Sequence, residues 1–288
     1  MEISTDTKQI QRYSLNRHSG KQREMAAKNA DDLCRWVYRW GWTTAQIINR
    51  FLDLRRPGLA DEFVRKGMLE KLSAKDGYRE KSVYILTDDG KMRAEELLDL
   101  DFGYVETLPY KLTESRRIPW SLHTHNMVCQ HVMIDMLGPR IQPASYITEL
   151  EYRKDNALGE SVPDMGMNYG DDFLICEVEL NQKELIRMKR WIWLRVLDLK
   201  NNDNTKVIFF TNLNSVKATI ESIINKDYIY EVEKNEKGYF VESTSMLQAI
   251  NLNKYRHLIE IKMLEKDEWR KTGGLYYPTP HNTIYEDF

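Results

Sequence analysis

In the stretch FLICEVELNQK, residues 173–183, two carboxylates stand one residue apart in an otherwise apolar run, and a lysine follows four positions after the second. Strand side chains alternate between faces, so Glu177 and Glu179 share one face while Cys176 and Val178 take the other. Like charges side by side on a half-buried strand repel each other and resist leaving water. A divalent cation removes both penalties, and oxygen-only ligands suit Mg2+ or Mn2+. Asp164 follows Pro163 on the preceding strand-like run and supplies a third carboxylate if the two runs pair. The expected metal ligands are therefore Asp164, Glu177 and Glu179. Lys183, at the start of the next helix, reaches back to stabilise charge on a phosphate. Such a set can polarise a phosphate ester and acidify an attacking water. The three carboxylates do not choose between one metal and two.

The bland alternative for the same carboxylates is a structural ion pair with Lys183 or Arg187. Other chemistry-bearing residues carry weaker signals. The helix over residues 183–200 sets Arg187 and Arg190 among tryptophans, as phosphate contacts or as solvated surface. His131 is expected on a helix that faces the site, as a supporting or phosphate contact. His123 and His125 flank Thr124, which reads as an N-cap rather than as the centre of a metal-binding pair. Glu149 and Glu151 repeat the one-apart spacing on an expected first strand, where pairing on an exposed face is favoured over joining the acidic set. Tyr169 follows Asp164 by five residues, but no spacing singles out a tyrosine nucleophile over water.

Several elements must hold these residues. Residues 1–27 are polar and read as a basic arm, partly disordered. Residues 28–100 give three amphipathic helices, the second capped by Thr43 or Thr44, then a hairpin turning at Asp76 and Gly77, then a helix after Asp89 and Gly90. That is the order of a winged helix-turn-helix, whose third helix enters a major groove while the wing touches the backbone. Lys66 on the third helix and Arg79 and Lys81 on the wing are the expected DNA contacts. Residues 101–120 hold two prolines with little periodicity and read as a linker. Residues 121–288 then order as α-β-β-β-α-β with a further helix and a C-terminal extension, an α/β (α+β) layer arrangement.

Asp164, Glu177, Glu179 and Lys183 spell D-x(12)-E-x-E-x(3)-K. The pattern resembles the PD-(D/E)xK nuclease superfamily, with its restriction-endonuclease-like α-β-β-β-α-β core. Glu179 occupies the usual lysine position here, and the lysine is displaced to Lys183. With a winged helix ahead and a basic helix behind, residues 28–215 resemble the MobC-type conjugative relaxases and their replication-relaxation relatives. The resemblance implies metal-dependent nicking of one DNA strand at a plasmid or integrative-element origin of transfer. Asp164, Glu177, Glu179 and Lys183 would be the catalytic set, and accessory mobilisation proteins and a coupling protein the partners. Two alternatives stay open: a DNA-binding replication or transcription regulator with an inert nuclease-like domain, and a site-specific restriction endonuclease.

Composition is compatible with each of these. A net charge of −2 over 288 residues neither favours nor excludes a polyanion partner. Three scattered cysteines exclude a zinc knuckle and suit a reducing compartment. No apolar run is long enough to span a bilayer and no signal segment opens the sequence, so a cytoplasmic protein is expected.

Overall fold

A computed structural model describes residues 6–54, 56–73, 82–98, 123–155 and 161–264. The chain divides into two compact units, Met1–Ser73 with Ser82–Tyr104, and Ala74–Lys81 with Val105–Phe288.

The first unit opens with α1 (Asp6–Trp40), a continuous helix where a disordered arm is expected up to residue 27. Its last turns bury Leu33, Trp36, Val37 and Trp40. α2 (Ala45–Phe51) starts where Thr44 Oγ1 accepts the Ile47 amide at 3.3 Å, and its Ile47, Ile48 and Phe51 complete the apolar stripe. α3 (Leu59–Arg65) follows, then the antiparallel pair β1 (Leu69–Ser73) and β2 (Ser82–Leu86), in register Leu69 opposite Leu86. Thr43 forms an additional bridge to Tyr84 of β2. α4 (Asp88–Leu98) is capped by Thr87, whose Oγ1 accepts the Gly90 amide, and is tied to α1 by the Tyr38 hydroxyl donating to Glu95. The expected order of three helices, two strands and a helix is present. The hairpin turn at Asp76 and Gly77, with Arg79 and Lys81, lies outside the described residues.

The second unit begins with α5 (His123–Leu137), followed by β3 (Tyr146–Thr148), α6 (Glu149–Asp155), β4 (Met165–Tyr169), β5 (Asp172–Glu179), α7 (Leu185–Asn201), β6 (Thr205–Thr211) and α8 (Asn214–Ile224). Four short strands complete it with β11: β7 (Tyr228–Tyr230), β8 (Val232–Lys234), β9 (Phe240–Glu242), β10 (Ala249–Asn251) and finally β11 (Ile259–Met263). The main sheet has the order β11-β6-β5-β4-β3, with β11, β6 and β5 parallel and β4 and β3 antiparallel. β4 and β5 join through a two-residue turn in which Gly170 takes φ 63°, a conformation that costs glycine nothing. Ile175, Val207 and Phe209 pack with Met188, Trp191, Ile192 and Val196 of α7 and Val216 and Ile220 of α8 into one core. α5 packs against β5. The mixed α/β class is as expected.

One element differs from the sequence reading. Residues 144–153 read as strand-like, but β3 ends at Thr148 and α6 begins at Glu149. The cause is a reciprocal cap: the Thr148 amide donates to Glu151 Oε2 at 2.8 Å, and the Glu151 amide donates to Thr148 Oγ1 at 3.4 Å. Tyr152 of this helix lies over Gly166 of β4. A Cβ at Gly166 would come within 2.2 Å of the Tyr152 hydroxyl oxygen and 2.5 Å of the Phe173 ring, so the close approach requires glycine.

Candidate active site

The register of β4 on β5 sets Met165 opposite Cys176, so Asp164, one residue before β4, falls beside the carboxyl end of β5. Alternation along β5 turns Ile175, Glu177 and Glu179 toward the face that α7 covers. There a pocket of about 320 Å3 opens, lined among others by Asp164, Glu177, Glu179, Lys183, Glu149, His125 and Trp191. The four residues of the D-x(12)-E-x-E-x(3)-K pattern are thus brought together. Glu177 and Glu179 are only 2% and 4% exposed.

Each carboxylate has a distinct set of partners. Asp164 Oδ2 accepts the Val178 amide at 2.7 Å and faces His125 Nε2 at 3.2 Å, and the same imidazole nitrogen donates to the Val178 carbonyl at 3.0 Å. Burial pushes the Asp164 carboxyl up, but the His125 charge and these hydrogen bonds outweigh it and hold the group below the usual range. Burial likewise disfavours a charged His125, yet Asp164 and, more weakly, Cys129 raise the imidazole well above its ordinary value. Glu177 is driven the other way: burial and the neighbouring Asp164 charge raise it well above the ordinary range, against the pull of Arg195. Glu177 and Asp164 shift in opposite directions, so Asp164 is the more acidic of the two neighbours.

Arg195 stands on the helix of Arg187 and Arg190, whose basic residues read as solvated surface or as phosphate contacts. It is fully buried instead, with Nε 3.2 Å from Glu177 Oε1, Nη1 3.2 Å from Asp198 Oδ2, and Nη2 donating to the Ser161 carbonyl at 2.9 Å. Glu179 accepts the Asn181 amide at 3.1 Å through Oε1, and its Oε2 is ion-paired with Lys183. The Lys183 ammonium also lies 4.8 Å from the Trp191 ring centroid. The structural ion-pair reading of the two glutamates is therefore partly realised, with Lys183 as one partner and Arg195 in place of Arg187.

His125 and Glu149 were underweighted in the sequence. Thr124 is not the N-cap of α5, which begins at His123, so His125 sits in the first turn and reaches Asp164. Glu149 lines the pocket from α6 rather than pairing on a strand face. It is raised by burial and by Asp164, while Arg153 donates to it from Nε at 2.8 Å. The Thr148-x-x-Glu151 capping signature was the signal that could have placed it. His131 is buried on α5 and does not line the pocket. Arg187 and Arg190 also stand outside it, over the Phe240 ring. Tyr169 is exposed at the far end of β4 from Asp164. In the first unit Lys66 is ion-paired with Glu62 at 2.9 Å.

Among the described residues, the group whose ligand atoms all lie within 4.8 Å of one another is His125, Cys129 and Asp164. Its hydrogen bonding disfavours that use: His125 Nε2 acts as an N–H donor to two oxygens, and burial pushes the Cys129 thiol up to about 11. The oxygens of Asp164, Glu177 and Glu179 match Mg2+ or Mn2+ in ligand type but do not all come within that 4.8 Å of one another. Glu177 Oε1 and Glu179 Oε2 meet their cations without hydrogen-bonding geometry and keep lone pairs for a ligand. No helix among the described residues is long and apolar enough to cross a membrane. No family model matches the chain, and no curated protein or solved structure is significantly similar to it.

Proposed function

We propose that the protein is a metal-dependent DNA nickase of the relaxase kind, cutting one strand at a plasmid or integrative-element origin of transfer. The observation that carries the reading is the convergence of Asp164, Glu177, Glu179 and Lys183 in one pocket at the carboxyl end of β5. Asp164, Glu177 and Glu179 would hold Mg2+ or Mn2+, which when bound supplies Lewis acidity toward a phosphate and a more acidic water. Lys183 places positive charge at the pocket wall, where negative charge develops on the phosphate. His125 and the Val178 amide fix one oxygen of Asp164 and leave the other to the pocket. Arg195 balances Glu177 from behind, so the strand end tolerates buried charge. In the first unit, the order of α1 to α4 with β1 and β2 is consistent with a winged helix, in which Lys66 and the wing would contact phosphates.

The test is a supercoiled plasmid carrying the mobile element's own intergenic DNA. Open circles should form with Mg2+ or Mn2+ and not with chelator, and Glu177→Ala should abolish them. A Glu177→Ala variant that nicks as well as wild type removes the assignment. One observation favours a second reading, an inert nuclease-like core in a DNA-binding regulator: Glu177 and Glu179 are both already ion-paired. On that reading the origin DNA is bound but never cut under any metal.

A further inference from the structure

Outside the pocket, three cations converge on one ring. The guanidinium carbons of Arg187 and Arg190 lie 5.9 and 5.1 Å from the Phe240 ring centroid, and the Lys234 ammonium lies 5.4 Å from it. Arg187 and Arg190 are one turn apart on α7, whereas Lys234 and Phe240 belong to the β8–β9 hairpin. The hairpin packs against α7, and an ion pair between Lys189 and Glu242 fastens it there. Among the described residues, Glu184, 3.4 Å from Arg187 and largely exposed, and Glu242, already engaged by Lys189, form ion pairs with this part of α7. Cation–π contacts at exposed positions are worth only about 0.5–1 kcal/mol each. They do not by themselves account for gathering three mutually repelling charges.

We infer that Arg187, Arg190, Lys234 and Phe240 form a track for the phosphate backbone of a DNA strand leading to Lys183 and the pocket. The inference rests on the nuclease reading for its choice of partner. Successive phosphates are the polyanion that relieves repulsion among several cations at once. The track follows α7 back toward its N-terminal end, where Lys183 lines the pocket. The hairpin thereby acquires a role: it supplies Lys234 and the ring that holds both arginines extended.

The test measures binding of the full chain to random-sequence single-stranded and duplex oligonucleotides by fluorescence anisotropy, in chelator, across a salt series. Each lost phosphate contact should lower the slope of log K against log salt by about 0.7 for single strands and about 0.9 for duplex. The variant R187Q/R190Q/K234Q should therefore lose about two to three slope units. R187K/R190K/K234R, which keeps every charge, should retain the wild-type slope. If the neutral triple variant does not fold, K234Q alone, on the exposed hairpin, should still lower the slope by nearly one unit. The probe whose slope falls identifies the strand form that uses the track. Unchanged slope and affinity on both probes in the neutral variants would overturn the proposal. Wild-type nicking, measured in parallel, separates the outcomes: a fallen slope with no nicking leaves the track and removes the nuclease reading, and the converse removes only the track.

Discussion

The first unit centres on stacked aromatic rings, whereas the second buries a carboxylate and a guanidinium face to face. Around α1 and α2 the least exposed large side chains are Trp36, Trp42, Ile47, Phe51 and Leu52, and Trp36 stacks on Phe51 with ring centroids 4.6 Å apart. Ion pairs such as Lys71 with Asp61 and Arg93 with Asp31 stand at the surface of this unit, although Asp32, Arg39 and Glu95 are buried. At the end of β5, by contrast, Glu177 and Arg195 are each about 2% exposed and face each other. Apolar burial stabilises a fold outright, at roughly 25 cal/mol per Å2. A buried ion pair does little better than an apolar substitute, because desolvation consumes most of the attraction. On the proposed reading, such a cluster beside a pocket is kept for chemistry rather than for stability.

The contrast can be broken most severely at Arg195. Replacing it by Met should destabilise the second unit by about 3–5 kcal/mol, because Glu177 is left buried, and Asp198 half-buried, without their cation. Trp36→Ala should cost a similar amount, about 3–5 kcal/mol, through lost packing and a cavity. Only the Arg195 loss should be partly rescued by mild acid, which protonates the stranded carboxyls. Urea denaturation at two pH values distinguishes them. Next in size, Gly166→Ala should cost about 1–3 kcal/mol, since Tyr152 and Phe173 must move aside.

The sharpest pH signature belongs to His125 and Asp164. His125 is raised in the folded state, so its contribution is fully present below the unfolded value of about 6.5 and is lost as pH climbs through the folded value. Asp164 is lowered, so its contribution is present above about 3.9 and is lost as pH falls through the folded value. The melting temperature of wild type should therefore decline on the alkaline side of neutrality. His125→Gln, which keeps a donor without a titrating charge, should flatten that limb. The smallest effect is expected at the surface of the first unit, where Lys71→Ala should change stability by no more than about 1 kcal/mol.

Much of the site was legible because strand geometry is rigid. A period of two puts Glu177 and Glu179 on one face whatever packs there, and the hairpin through Gly170 carries Asp164 to the same end. What was not read lies on helices. Met188, Trp191, Ile192, Arg195, Val196 and Leu199 form one buried stripe at helical spacing, and Arg195 sits in its middle. Its charge masked a position that the period had already assigned to the core. Thr148 and Glu151 carry a capping signature that ends the strand within a run, residues 144–153, that reads as strand-like throughout. His125 was discounted because only its sequence neighbours were weighed, whereas its partners, Asp164 and Val178, lie 39 and 53 residues away.

The central claim is that the buried carboxylates at the end of β5 gather a divalent cation. A Mn2+ titration followed by thermal melting tests it without any knowledge of the DNA sequence, comparing wild type with Asp164→Asn and Glu177→Gln. A bound ion at about one hundred times its dissociation constant adds about 2.7 kcal/mol of stability. Wild type should show a saturable rise in melting temperature with Mn2+, and both variants should lose it. A wild type that does not respond, or variants that respond as wild type does, would contradict the account and leave the cluster as a structural ion-pair network.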